Sequence, residues 1–120
     1  MIVRIWHGRT SHDLGNDYAK FLQQRAIPDY RGTPGNQGAL ALRSAGAQQD
    51  EFLTVSLWQS MDVIRGFAGA AVDVDVDVAK YYDEDSRFLL EFEPTVVHYE
   101  VVGAELAPEL DGMFGKAGDD

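Results

Sequence analysis

The sequence predicts an α+β domain, a single sheet of antiparallel type with helices on one face, and three observations carry that prediction. Four segments alternate apolar and polar residues with the period of a strand, namely Ile2–His7, Ala39–Ser44, Phe52–Trp58 and Thr95–Val102. Two intervening segments, built around Leu14–Arg25 and Met61–Ala68, repeat apolar residues at helical spacing instead. Dense turn residues divide the elements, above all Gly32, Thr33, Pro34, Gly35, Asn36 and Gly38.

The first strand, Ile2–His7, places Val3, Ile5 and His7 on one side and Ile2, Arg4 and Trp6 on the other, and Gly8 is read as its end. Thr10 or Ser11 then caps a helix in which Leu14, Tyr18, Phe21, Leu22 and Arg25 recur on one face, with Pro28 as its stop. After the turn-rich loop, Ala39–Ser44 and Phe52–Trp58 form a hairpin across Gly46–Asp50. Ser60 caps a second helix carrying Met61, Ile64, Phe67 and Ala68 on one face and ending near Gly69. Val72–Val78 alternates valine with aspartate, a pattern that suits an exposed edge strand or a loose connection. Asp83–Glu91 reads as a short helix with Phe88 and Leu89 packed down, closed by Pro94 before the last strand.

This order, strand, helix, strand, strand, helix, strand, is the split β-α-β pattern of a ferredoxin-like βαββαβ sandwich. It places the first and third strands at the centre, read as parallel, with the fourth beside the first and the second beside the third. Residues 1–103 form this domain. Residues 104–120, rich in Gly, Ala, Pro and acid, read as a flexible tail whose anchors are Leu106, Leu110, Met113 and Phe114.

Composition excludes several functions. A chain of 120 residues with 45% apolar content suits one domain with one core. Its formal net charge of −10 opposes DNA, RNA or anionic lipid as partners, because attraction to phosphate needs a basic footprint. The absence of cysteine removes disulfides, thiolate metal sites and thiol nucleophiles, and fits a reducing compartment. With no apolar run of membrane-spanning length, the expectation is a cytoplasmic protein.

The two strand parities differ in chemistry. Val3, Ile5, Leu40, Leu42, Leu53, Val55, Leu57, Val97, Tyr99 and Val101 are read as the core beneath the helices. Arg4, Trp6, Ala41, Arg43, Thr54, Ser56, Trp58, His98 and Glu100 collect on the other face, expected to be uncovered. Two Trp rings beside a His, two Arg and a Glu suit a small-molecule pocket, which combines burial with orientation.

The strand Ile2-Val3-Arg4-Ile5-Trp6, the run Ser56-Leu57-Trp58 leading to Ser60 and a helix, and the segment from Tyr81-Tyr82 through Phe88–Pro94 to His98-Tyr99-Glu100-Val101 resemble the antibiotic biosynthesis monooxygenase-like branch of the dimeric α/β barrels. The resemblance covers residues 1 to 102. It implies a homodimer paired sheet to sheet, with the uncovered faces enclosing a ligand inside the barrel. It also implies a monooxygenase-like activity, either on a small aromatic or enolic compound without a cofactor, or on haem, or else a ligand-binding or stress-associated dimer without catalysis.

In the cofactor-independent case His98 is the base, Arg43 or Arg4 stabilises the oxyanion, Trp58 and Trp6 stack on the ring, and Ser56, Thr54 and Glu100 complete the pocket. Each residue also has a plainer role. His98 beside Glu100 suits a structural hydrogen bond, Arg4 and Glu100 a cross-strand ion pair, Arg43 a dimer contact, and Trp58 a plug for the barrel end. Arg43 has no acid near it on its own strand. His7 shares the aliphatic parity and His12 is read as surface. The haem-degrading relatives place an axial His on the helix after the Trp, whereas Gln59–Phe92 contains none. Asp73, Asp75, Asp77 and Glu84 have calcium-loop spacing, but Val78 stands where that loop needs Gly, so no metal is expected.

Overall fold

A computed structural model describes residues 1–68, 88–91 and 96–110. The valine and aspartate run 72–78, the Asp residues of the calcium-like spacing, the first part of the Asp83–Glu91 segment and the last ten residues of the tail lie outside the described residues.

Strand β1 (Ile2–Ser11) leads into a helical run made of a single turn at His12–Leu14, α1 (Gly15–Phe21), a wide π turn at Leu22–Ala26, and α2 (Ile27–Arg31). The hairpin β2 (Asn36–Ala45) and β3 (Gln49–Trp58) follows, then α3 (Met61–Ala68), β4 (Leu89–Glu91) and β5 (Val97–Glu100). The sheet runs β2-β3-β1-β4, with β5 also paired to β1. This is a ferredoxin-like α+β arrangement, with the last strand beside the first as expected.

Several local expectations are corrected. The central pair β1 and β3 is antiparallel, in register from Ile2↔Trp58 to Ser11↔Gln49. A helical crossover returns β2 in the direction of β1 and the hairpin then reverses the chain, so β3 opposes β1. Gly8 does not end the first strand. It lies within β1, where a Cβ would overlap the Trp6 ring, so the missing side chain makes room for the indole folded along the strand.

Pro28 does not end the helix either. It occupies the opening of α2, just after the π turn, where a missing N–H interrupts no helical hydrogen bond. The buried residues Tyr18, Leu22, Ala26 and Tyr30 explain the wide turn. A spacing of four drifts against a period of about 3.6, and one extra residue per turn restores the common face. The run stops where Gly32 N and the Thr33 hydroxyl donate to the carbonyls of Pro28 and Asp29, each at 2.9 Å.

Leu89–Glu91 is a strand rather than the end of a short helix, paired to β1 at Arg9 and Thr10. The part of the expectation that survives is packing, since Phe88 and Leu89 lie against the core.

The largest correction concerns the faces of the sheet. The core contains Trp6, Phe52, Trp58 and Val96 from the sheet side together with Tyr18, Leu22, Ala26, Tyr30 and Ile64 from the helices. The aromatic and polar parity therefore faces the helices. The aliphatic parity faces away, leaving Leu40, Leu42, Val97 and Tyr99 38–55% exposed. Aliphatic content is a poor guide here because the helix-covered layer is filled by rings. Tyr18 meets Phe52 edge-on at 4.9 Å between centroids and Phe88 at 5.4 Å, while Gly8 makes room for Trp6 and Ala39 packs against the same cluster.

Candidate functional site

On the helix-covered face the register aligns side chains in rows. One row runs Ala39, Ser56, Arg4, His98 across four strands, and the row beside it contains Trp58, Ile2 and Glu100. The third row brings Ala41, Thr54 and Trp6 together. The residues grouped from the sequence thus do share one surface, and that surface lies under the helices instead of away from them.

Arg4 is nearly buried, and its Nη1 donates to His98 Nε2 at 2.9 Å. An acceptor role at Nε2 describes a neutral imidazole carrying its proton on Nδ1. The register sets His98, rather than Glu100, directly opposite Arg4, so the expected Arg4–Glu100 pair is replaced by an Arg4–His98 pair. Beneath it, Trp58 is wholly buried, its Nε1 donates to Ser56 Oγ at 2.8 Å, and Ser56 Oγ donates in turn to the Arg4 carbonyl at 3.4 Å. Trp58, Trp6, Thr54 and Ser56 are therefore the packed support of the pair. His98 is half-buried and Glu100 exposed, so the pair opens toward the β5 edge.

Arg43 has moved out of this group. The hairpin carries Asp50 to it from the neighbouring strand, and the Asp50 carboxylate accepts from Arg43 Nε at 2.9 Å and Nη2 at 2.5 Å. His12 Nδ1 reaches the other carboxylate oxygen at 2.8 Å, and Gly46 N donates there at 3.2 Å. Arg43 Nη1 donates to Asn16 Oδ1 at 2.8 Å, and its guanidinium lies 5.8 Å from the Phe52 ring centre. Helix α1 approaches closely enough that a Cβ on Gly15 would overlap Asp50 Oδ2.

Sequence reading missed this cluster, placing Asp50 in a turn and His12 on the surface. The signal available was an Arg and an Asp flanking one short turn, which a hairpin brings to adjacent rows.

The His12 hydrogen bond, helped by Arg43 and Gly46 against the opposing effect of burial, holds the Asp50 carboxyl at about 2, below its ordinary 3.8. A depressed carboxyl stabilises the fold fully above 3.8, and that contribution disappears as pH falls through about 2. Denaturant unfolding of wild type and Asp50→Asn across this window is expected to show a stability gap that narrows as the acid is protonated. A gap independent of pH would mean the carboxylate charge is not what the cluster uses.

Neither the family models nor the curated proteins compared with the chain gave a match. Solved structures did. The haem degrader MhuD from Mycobacterium tuberculosis, with two haems bound in its active site, aligns with a TM-score of 0.57 at 20% identity over 88% of this chain and 99% of that one.

The chain has this haem degrader's fold.

A variant of MhuD with two manganese protoporphyrin IX bound per active site aligns similarly, with a TM-score of 0.55 at 16% identity over 89% and 100% of the two chains. The neighbours share the ferredoxin-like fold that the sequence resemblance implies. At this identity the likeness concerns the fold, and chemistry has to be argued from side chains.

The axial histidine that the sequence resemblance implies for haem-degrading relatives has no counterpart in this chain. No histidine occurs between Gln59 and Phe92. His98 Nε2 accepts from Arg4 and His7 lies on the open face, while His12 contacts Asp50 through Nδ1. Among the described residues no cluster of His, Asp or Glu suits a metal ion, and no helix is long and apolar enough to cross a membrane.

Proposed function

We propose that this chain is a monooxygenase-like enzyme that oxidises a small aromatic or enolic compound without a bound cofactor, acting as a homodimer joined through its aliphatic sheet face. The observation that carries the reading is the Arg4–His98 pair, a guanidinium and a neutral imidazole in contact on an otherwise aromatic, helix-covered surface. The fold of a haem degrader supports it at the level of architecture.

The pair suits a hydroxyl that must lose its proton. A phenol or enol oxygen entering the contact accepts from Arg4 Nη1 and donates to His98 Nε2, exchanging one direct hydrogen bond for two. Proton transfer to Nε2 leaves the oxyanion beside the buried guanidinium of Arg4, whose attraction for it is stronger than in bulk water. The anion delocalises onto carbon, which gives an electron to dioxygen. Radical recombination forms a C–O bond, and the resulting hydroperoxide loses water to leave a carbonyl. A CH2 carbon thereby becomes C=O, one oxygen atom stays in the product, and the other leaves as water with the two hydrogens.

In this reading the pocket lies between sheet and helices rather than inside a barrel, and the open aliphatic face is the dimer contact. Leu40, Leu42, Val97 and Tyr99 are 38–55% exposed and form, with half-buried Val3, Ile5, Val55 and Leu57, an apolar face of the kind that marks a protein contact. Oxygen uptake with hydroquinones and anthrone-like phenols tests the chemistry. The wild type is expected to consume oxygen, and His98→Gln to reduce the rate about 100-fold or more. Equal rates would remove His98 as the base. Tight binding of the same compounds without oxygen uptake would make the protein a ligand-binding dimer.

A further inference from the structure

The His12–Asp50 cluster, about which the oxygenase reading says nothing, has the parts of a catalytic dyad. Asp50 is fully buried, while the His12 side chain is 48% exposed. Asp50 Oδ1 accepts from His12 Nδ1 at 2.8 Å, and the opposite carboxylate oxygen is bound by Arg43. The imidazole is anchored through its backbone as well, since His12 N donates to Gln48 O at 2.9 Å where β1 turns into the helical run.

A carboxylate on Nδ1 selects the tautomer with its proton there and leaves the Nε2 lone pair outward. Among the described residues Nε2 has no hydrogen-bond partner, whereas the same atom of His98 is covered by Arg4. Positive charge developing on the ring is stabilised by a carboxylate that is already desolvated and fixed by four donor contacts.

We propose that His12 is a second reactive centre, an imidazole nucleophile oriented by Asp50 that accepts acyl groups from activated aryl esters. Its Nε2 lone pair attacks the ester carbonyl, the bond to the aryl oxygen breaks, and the aryloxide leaves with the electron pair. The Nδ1 proton passes to solvent as the ring becomes a neutral acylimidazole. Water then attacks the acyl carbon and the C–N bond breaks, so ester and water become acid and phenol with His12 regenerated. Arg43, on the far side of the same carboxylate, keeps Asp50 in place.

Hydrolysis of p-nitrophenyl acetate by the full chain tests this. His12→Gln retains an N–H able to donate to Asp50, and its rate is expected to fall at least about tenfold while His7→Gln keeps the wild-type rate. Quenched samples are expected to carry the acetyl group on the peptide containing His12. An acetyl group found only on other peptides, or an unchanged His12→Gln rate, would overturn the assignment. Nitrogen NMR of the ring reads the role of Asp50 without a substitution. In the neutral ring a proton on Nδ1 and a bare Nε2 are expected, and the opposite tautomer would remove Asp50 as the orienting group.

Discussion

Replacing Trp58 with alanine is expected to lower the free energy of unfolding by about 3–5 kcal/mol, read as a drop in the denaturant midpoint at an unchanged slope. Trp58 is completely buried and belongs to the same core cluster as Ile64 of α3 and Tyr30 of α2. Alanine removes a bicyclic ring from a layer that cannot collapse around the gap, because β3 beneath it is held on both sides by β1 and β2. It also withdraws the indole donor from Ser56 Oγ, which leaves a buried hydroxyl with one partner fewer. A loss below about 1 kcal/mol would mean that the ring is not in the core and would return it to the pocket wall first expected of it.

Two acidic substitutions on the open face, Leu42→Glu with Val97→Glu, are expected to do the reverse, leaving the monomer folded while abolishing its self-association. Both side chains are already substantially exposed in the single chain, so each change alters monomer stability by only about 0.5 kcal/mol. In the proposed dimer they lie at an apolar contact, where an unpaired carboxylate has to be desolvated. Sedimentation is expected to give a dimer for wild type and a monomer of native circular dichroism for the double variant. A double variant that still sediments as the wild-type dimer would show that the copies meet elsewhere.

The first strand, the hairpin, the helix after it and the position of the last strand beside the first were legible from alternation, turn residues and helical spacing, whereas the strand Leu89–Glu91 was not. The grouping of Arg4, Trp6, Thr54, Ser56, Trp58 and His98 on one surface was legible for the same reason, since residues two apart on a strand share a face. Which face the helices cover was not. Both parities are apolar enough to be core, and the usual preference for aliphatic side chains pointed to Val3, Ile5, Leu53, Val55 and Leu57. The residues that decide the matter are small ones. Gly8 and Ala39 lie on the aromatic parity, Gly8 leaving room for the Trp6 ring and Ala39 packing against the core, and they could have been weighed against the valines.

The Asp50 cluster was harder to see because its members are distant in sequence. Arg43 and Asp50 meet across a turn, but His12 and Asn16 reach them only after the helical run has been laid over the sheet. The continuation of the helix through Pro28 was hidden for a different reason. Proline is a reliable stop when the turn before it is regular, and here a π turn places it at a fresh helix start.

In the proposed oxygenase the ligand binds between sheet and helices, and a crystal structure with a bound hydroxyanthraquinone tests this most directly. The predicted result is electron density for the ring system on the Trp58 side of the sheet, with one oxygen within hydrogen-bond distance of both Arg4 and His98. Density for the ring against Val55 and Leu57 on the opposite face would contradict it.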